Sequence, residues 1–330
     1  MRLFAAFAVT VLLGLVGCSP ATEGDGANDG EGPADYPYTV VTTTGMVRDI
    51  VEHVAGEQAN VTALMRAGVD PHLYSPTRGD VNEILEADIV FYNGLMLEGR
   101  MGDLFVRAAR RGLPIYPVTE MLDPEVLLVL DEETDYTDPH VWMDVSLWSQ
   151  AVDAVADSLA EYDPIHAEDY RENASAYRAE LDALHGYAQE ATATIPANQR
   201  TMITAHDAFS YFGRAYGLDV VGVQGLSTES SAGLSDINRL VDRIVENEIA
   251  AVFAESSVPN QNIRALIDGA GSRGHTVTIG GTLYSDAMGP DGTYEGTYMG
   301  MIDHNVTTIT RALGGEAPQG GFQGKLTPSR

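Results

Sequence analysis

The stretch DPIHAEDYRENASAYRAELDALHGYAQEATATIP, residues 163–196, carries the pattern that decides the fold of this chain. Asp163 and Pro164 form an N-cap and first-turn pair of the kind that begins helices. Beyond them, apolar residues recur at spacings of four and three, the period of one helix face: Tyr170, Ala174, Tyr177, Leu181, Leu184 and Ala188. The pattern predicts one helix over residues 164–196, about 45 Å long and able to join two domains.

Short β-rich segments alternate with helical patterns on both sides of this helix. TVVTTTG at 39–45 runs into a helical pattern, and TMITAHD at 201–207 does the same in the second half. Such alternation is typical of βα units around a mostly parallel sheet. Since 330 residues exceed what one core usually organises, we predict an α/β fold with two domains, at residues 38–163 and 197–330.

The first residues have the pattern of an export signal. Met1 and Arg2 precede an apolar run, residues 3–16, that is short for a membrane span, and Leu15-Val16-Gly17-Cys18 looks like a bacterial lipobox. We predict a signal peptide at 1–17 and lipid on Cys18; the alternative is an ordinary signal peptide with an incidental cysteine. Residues 18–37, rich in Gly, Ala, Pro and acids, predict a flexible tether.

The composition limits the possible partners of the chain. With 48 acidic and 19 basic residues, the formal net charge is −29, which argues against nucleic-acid binding because nothing would neutralise phosphates. A cationic ligand fits better, although an acidic surface adapted to high salt is an alternative cause of the charge. The single cysteine excludes intrachain disulfides, so stability must come from packing.

The tripeptide Asp-Pro-His occurs twice, ending at His72 and at His140. Proline restricts its own backbone and that of the preceding residue, so each imidazole leaves a stiff turn, as suits a metal ligand. His206, in TAHDAFSYF, and Asp286, in LYSDAMG, both follow predicted strands. Ligands bind beyond the carboxyl ends of strands in α/β sheets, so two facing sheets would bring all four residues to one cleft.

The other histidines and two carboxylates have less specific interpretations. A lone histidine more often caps a helix or fills a turn, and this interpretation is preferred for those outside the strand-to-loop context: His53, His166, His185, His275 and His304. We predict that His166 and His185 lie solvated on the long helix. Glu255 either orients a metal ligand or caps the following turn, and Asp207 is expected to cap a helix rather than bind metal.

Several longer segments together resemble one protein family. They are GVDPHLYSPTRGDVNEILEADIVFYNG (68–94), DPHVWMD (138–144), TAHDAFSYFGRAYG (204–217), AVFAESSVPNQNIRAL (251–266) and LYSDAMG (283–289). They are similar to signature segments of the metal-specific substrate-binding lipoproteins of bacterial ABC importers, the cluster A-I zinc and manganese receptors. The resemblance extends over essentially the whole chain after Cys18.

The resemblance implies a fold, a site and partners. The fold would be two lobes, each with a mostly parallel four-stranded sheet and flanking helices, joined by one long rigid helix. A divalent metal ion would be held between the lobes by His72, His140, His206 and Asp286. The protein would be an exported monomer, anchored by lipid on the periplasmic or extracytoplasmic face of a membrane, and would deliver the metal to an importer permease and its ATPase.

The sequence favours zinc modestly and leaves manganese possible. Relatives dedicated to manganese often carry a carboxylate where this chain has His206, whereas zinc receptors often carry a His-rich loop where this chain has LDEETDYTD, residues 130–138. Three imidazoles and one carboxylate suit zinc by ligand softness and by the Irving–Williams order.

Two other classes were considered. Catalytic zinc keeps an open coordination position, whereas four protein donors describe a closed site, so a zinc hydrolase is less favoured than a binding protein. A surface adhesin lipoprotein would leave the four candidate ligands without a purpose. We therefore predict that the chain is not an enzyme.

Overall fold

The computed structural model describes residues 32–131 and 136–327, and its first lobe is built on a parallel sheet. The elements of this lobe are β1 (Tyr38–Thr42), α1 (Gly45–Ala55), β2 (Ala59–Ala63), α2 (Arg78–Glu86), β3 (Ile89–Tyr92), α3 (Gly102–Ala109) and β4 (Ile115–Pro117). The strands are ordered β2-β1-β3-β4, and all three pairings are parallel. The four-stranded sheet expected here is confirmed.

Two further segments connect this sheet to the rest of the chain. An antiparallel pair, β5 (Val129–Asp131) and β6 (Tyr136–Thr137), comes before the second Asp-Pro-His turn. After that turn, α4 (Val145–Tyr162) is capped by Asp144, whose carboxylate accepts from the Ser146 backbone N–H at 3.0 Å.

The second lobe also alternates strands with helices. Its elements are β7 (Thr201–His206), α6 (Ser210–Tyr216), β8 (Asp219–Gln224), α7 (Leu234–Glu246), β9 (Ala251–Glu255), α8 (Gln261–Ser272), β10 (Thr278–Leu283) and α9 (Tyr298–Ala312). The strands are parallel, but their hydrogen-bonded ladders form two pairs, β7 with β8 and β9 with β10, and β7 lies beside β9. The second lobe thus has the four expected strands, arranged as two parallel pairs.

The long helix is α5 (Ala167–Ala193), and it begins slightly later than predicted. Asp163 instead caps a short 3₁₀ turn over Pro164–His166, accepting from the Ile165 backbone N–H at 3.2 Å. The α5 helix ends before Pro196, which disfavours helical geometry in the residue ahead of it. Along its length α5 packs against α1 and α4 of the first lobe and against α6 and α9 of the second.

Three apolar clusters hold the fold together. The largest is shared by both lobes: it includes Val40 of β1, Tyr177 of α5 and Ile302 of α9. A second cluster lies under α7 and α8, and a third under α2 and α3. Alternation along β1 explains the arrangement, because Val40 faces the shared core while Val41 faces the third cluster.

The N-terminal predictions fall mostly outside the described residues. This applies to the signal peptide at 1–17, to Cys18 and to most of the predicted tether. Of its last residues, Tyr36 contacts the folded body, where its hydroxyl donates to Asp163 at 2.7 Å. Within 32–131 and 136–327, no helix combines the length and apolar character needed to cross a membrane.

Candidate metal centre

Local turns aim the two Asp-Pro-His imidazoles. In each turn the aspartate carboxylate accepts from the backbone N–H of the histidine two residues later, at 2.9 Å for both Asp70 with His72 and Asp138 with His140. This closes a compact Asx-type loop in which proline limits the backbone further. Each histidine is thus held by its own tripeptide before any tertiary contact is made.

The other two candidates come from strand ends of the second lobe. His206 is the last residue of β7, and Asp286 follows β10 by a short loop. Because parallel strands present their carboxyl ends at one edge, both residues lie on the side of the second lobe that faces the first.

The structure brings all four residues together. One donor atom from each of His72, His140, His206 and Asp286 lies within 4.8 Å of the donors from the others. The Nε2 atoms of His72 and His140 are 3.3 Å apart, and the Asp286 oxygens lie 3.4 Å from His140 Nε2 and 3.2 Å from His206 Nε2. Two donors come from each lobe, so the site lies between the lobes.

Two of the imidazoles have a carboxylate on the opposite ring nitrogen. His140 Nδ1 lies 2.7 Å from Asp138, and His206 Nδ1 lies 2.5 Å from Glu255, whose other oxygen accepts the His206 backbone N–H at 2.9 Å. A carboxylate accepts only, so each Nδ1 carries a proton and each Nε2 is the nitrogen that faces the cluster. Of the two roles open to Glu255, the structure shows contact with His206.

His72 differs from the other two histidines. Among the described residues, no carboxylate forms an ion pair with its ring, and burial lowers its pKa from 6.5 to about 3. For His140, burial acts to lower the pKa, but Asp138 and Asp286 outweigh it and raise the pKa to about 9. His72 is therefore neutral at physiological pH, while His140 holds a second proton when the cluster is empty of cations.

Burial and neighbouring charges also shift the pKa values of His206 and Asp286. Burial disfavours the charged forms of both His206 and Asp286. The carboxylates of Asp286 and Glu255 outweigh burial for His206 and raise its pKa well above 6.5. The imidazoles of His206 and His140 outweigh burial for Asp286 and lower its pKa well below 3.8. His140 and His206 are fully buried, and His72 and Asp286 are no more than 5% exposed. The charges in this cluster are therefore compensated by one another and by the buried carboxylates of Asp138 and Glu255 behind the rings.

The cluster contains polar atoms that lack hydrogen bonds. His206 Nε2 and both oxygens of Asp286 are buried without a hydrogen-bond partner. Leaving such atoms unpaired is costly, so their convergence calls for an additional positive group between them. Three imidazole nitrogens and one carboxylate form a donor set that suits a divalent transition-metal ion.

The other histidines lie outside this group. His166, just before α5, packs edge-on against the Tyr36 ring, and His185 contacts the Tyr216 ring and hydroxyl. Both are half-buried rather than solvated as predicted, because each packs against an aromatic ring. His53, His275 and His304 each contact a backbone carbonyl.

Asp207 does not join the cluster either, and it does not cap helix α6 as predicted. Its carboxylate accepts from the Ser210 hydroxyl at 2.8 Å, and Phe209 is the residue at the N-cap position.

Sequence reasoning assigned no separate role to Asp138. The signal that identifies it is the repeated tripeptide itself, since a carboxylate two residues before a buried histidine can reach the histidine ring as well as its backbone. The first copy shows that the motif alone is insufficient, because Asp70 bonds to the Thr228 hydroxyl of the other lobe instead.

Comparison with known proteins agrees with this architecture. Residues 40–312 match the family described as "ZnuA: Zinc-uptake complex component A periplasmic". The manganese-binding lipoprotein MntA of Bacillus subtilis is 44% identical over 94% of this chain and 97% of its own length. The zinc-binding protein TroA of Treponema pallidum is 45% identical over 85% of this chain and 90% of its own length.

A solved structure supports the fold as well. The periplasmic zinc-binding protein TroA of Treponema pallidum superposes with a TM-score of 0.80 at 44% identity, covering 84% of this chain and 99% of that one. The chain therefore belongs to the zinc-uptake complex component A family, the cluster A-I metal-binding substrate-binding proteins of bacterial ABC importers.

Proposed function

We propose that this chain captures a divalent transition-metal ion at His72, His140, His206 and Asp286 and delivers it to the permease and ATPase of an ABC importer. One observation carries the proposal: four buried donors from two lobes converge, and His206 Nε2 and both Asp286 oxygens have no hydrogen-bond partner. The family assignment supports the same role, since its members are substrate-binding proteins of metal importers.

Zinc is the favoured ion and manganese the alternative. The names of the two relatives do not decide between them, because MntA is called manganese-binding at 44% identity and TroA zinc-binding at 45%. The donor set favours zinc modestly, because imidazole nitrogen suits zinc and manganese stands lowest in the Irving–Williams order.

Binding without catalysis is the better-supported role. A catalytic zinc site keeps one coordination position for water, but here all four donors come from side chains that are almost wholly buried.

The remaining elements of the proposal concern attachment. Residues 1–17 would be removed as a signal peptide, Cys18 would carry lipid, and residues 18–37 would tether the receptor to the outer face of a membrane. The receptor would act as a monomer, since both halves of the donor set come from one chain.

The test is metal analysis of protein prepared without an affinity tag. We expect one tightly bound ion per chain and, in competition titration, displacement of manganese by zinc. A protein that binds neither ion, or that hydrolyses esters or phosphoesters when loaded with zinc, would contradict the receptor assignment. A preference for manganese would contradict only the choice of zinc.

Metal binding is also expected to release protons. At pH 7, which lies below the raised pKa values of His140 and His206, both rings carry a second proton that a metal ion must displace, while His72 is already neutral. We therefore expect release of about two protons per ion and an affinity that rises with pH toward the pKa of His140, about 9. Calorimetry in buffers of different ionisation enthalpy counts the protons, and a pH-independent affinity would contradict this expectation.

A further inference from the structure

Trp142 links the two halves of the metal centre. It lies two residues after His140, is fully buried, and donates from its indole Nε1 to the Ser285 carbonyl oxygen at 2.9 Å. Ser285 immediately precedes Asp286. One hydrogen bond therefore joins the loop of a first-lobe donor to the loop of a second-lobe donor.

The indole is held in place from several directions. The Tyr298 hydroxyl of α9 donates to the Trp142 carbonyl at 2.7 Å, and the Tyr298 backbone N–H donates to Asp49 of α1 at 3.0 Å. The His140 ring packs edge-on against the indole, with centroids 5.2 Å apart. Trp142 thus has little freedom to follow a movement of the Asp286 loop, and instead restrains that loop.

The carboxylate of Asp286 depends on such a restraint. Its two oxygens make no hydrogen bonds and face His140 and His206 at 3.4 and 3.2 Å, so no side-chain contact besides these imidazoles fixes their orientation. The position of the backbone therefore sets the carboxylate. The backbone is held by Trp142 at Ser285, whose hydroxyl also lies 2.9 Å from that of Ser257.

We propose that Trp142 is a positioning residue that fixes the orientation of the Asp286 carboxylate across the lobe interface and thereby adjusts which metal ion the centre prefers. The inference rests on the proposed function. Oxygen donors matter more to a hard ion such as manganese, whereas three imidazoles retain much of the affinity for zinc. Loosening Asp286 should therefore weaken manganese binding more than zinc binding.

The chain offers a matched control. It contains two tryptophans, and Trp148 is also fully buried, but its indole Nε1 has no hydrogen-bond partner. Trp142→Phe and Trp148→Phe therefore remove equal side-chain volume from the same core, and only the first removes the link to Ser285. Loss of packing should lower the melting temperature of both variants.

The experiment measures zinc and manganese affinities by competition titration, together with the absorption spectrum of bound cobalt as a report on donor geometry. For Trp142→Phe we expect the manganese-to-zinc ratio of dissociation constants to rise about tenfold and the cobalt bands to shift. Trp148→Phe should leave the ratio of dissociation constants and the cobalt bands at their wild-type values. An unchanged ratio in Trp142→Phe, or an equal shift in Trp148→Phe, would overturn the inference.

A second variant covers the case in which Trp142→Phe fails to fold. Tyr298→Phe removes only the hydroxyl that holds the Trp142 carbonyl, and it should move the ratio in the same direction by a smaller factor. An unchanged ratio in this variant would then overturn the inference. Wild-type protein that binds neither ion would contradict the proposed function itself, a result distinct from a receptor whose ratio is insensitive to Trp142.

Discussion

Replacing His140 by alanine should lower zinc affinity by at least about 100-fold, equivalent to roughly 2.7 kcal/mol. The change removes one of the four donors and leaves the fully buried Asp138 facing an empty space instead of an imidazole. Asp286 also loses one of its two ion-pair partners. Competition against a chromophoric chelator at fixed pH measures the change.

His185→Ala is the matched control for that variant. His185 is half-buried, whereas His140 is fully buried, and the His185 ring contacts the Tyr216 hydroxyl and ring, outside the cluster. We expect zinc affinity within about twofold of wild type for this control, since it removes no donor. Equal losses in both variants, or no loss in His140→Ala, would remove His140 from the proposed site.

The second large effect concerns Cys18. Cys18→Ala should abolish stable membrane attachment, because the chain contains no other cysteine that could carry the lipid. The variant is expected either as an uncleaved precursor or as released soluble protein, and released protein should bind metal as wild type does. Fractionation of cells and metal titration of the soluble fraction test both points. Unaltered membrane attachment would contradict the lipobox assignment.

Sequence reasoning could reach the composition of the candidate centre because its signals are local. Asp-Pro-His fixes a turn within three residues, and His206 and Asp286 each stand just after a recognisable strand. The parallel sheet of the first lobe and the existence of α5 were predictable for the same reason, since both follow from short-range periodicity.

Tertiary contacts decided what the sequence left open. Two identical tripeptides behave differently, because Asp138 turns to the ring of its own histidine while Asp70 is drawn to Thr228 of the opposite lobe. Glu255 could be assigned to His206 only once β7 and β9 were known to lie side by side. The long helix begins later than the sequence predicted, because Asp163 caps a separate 3₁₀ turn ahead of it.

The apolar cluster shared by both lobes has a consequence for how an ion enters and leaves. Swinging the lobes apart about a hinge would expose part of this cluster to water, at a cost of about 25 cal/mol for each Å² uncovered. A movement confined to the short loop that carries His72, which Trp142 does not hold, would uncover less surface than a hinge motion. We therefore expect the ion to exchange through movement of this loop, while the two lobes remain a single rigid unit.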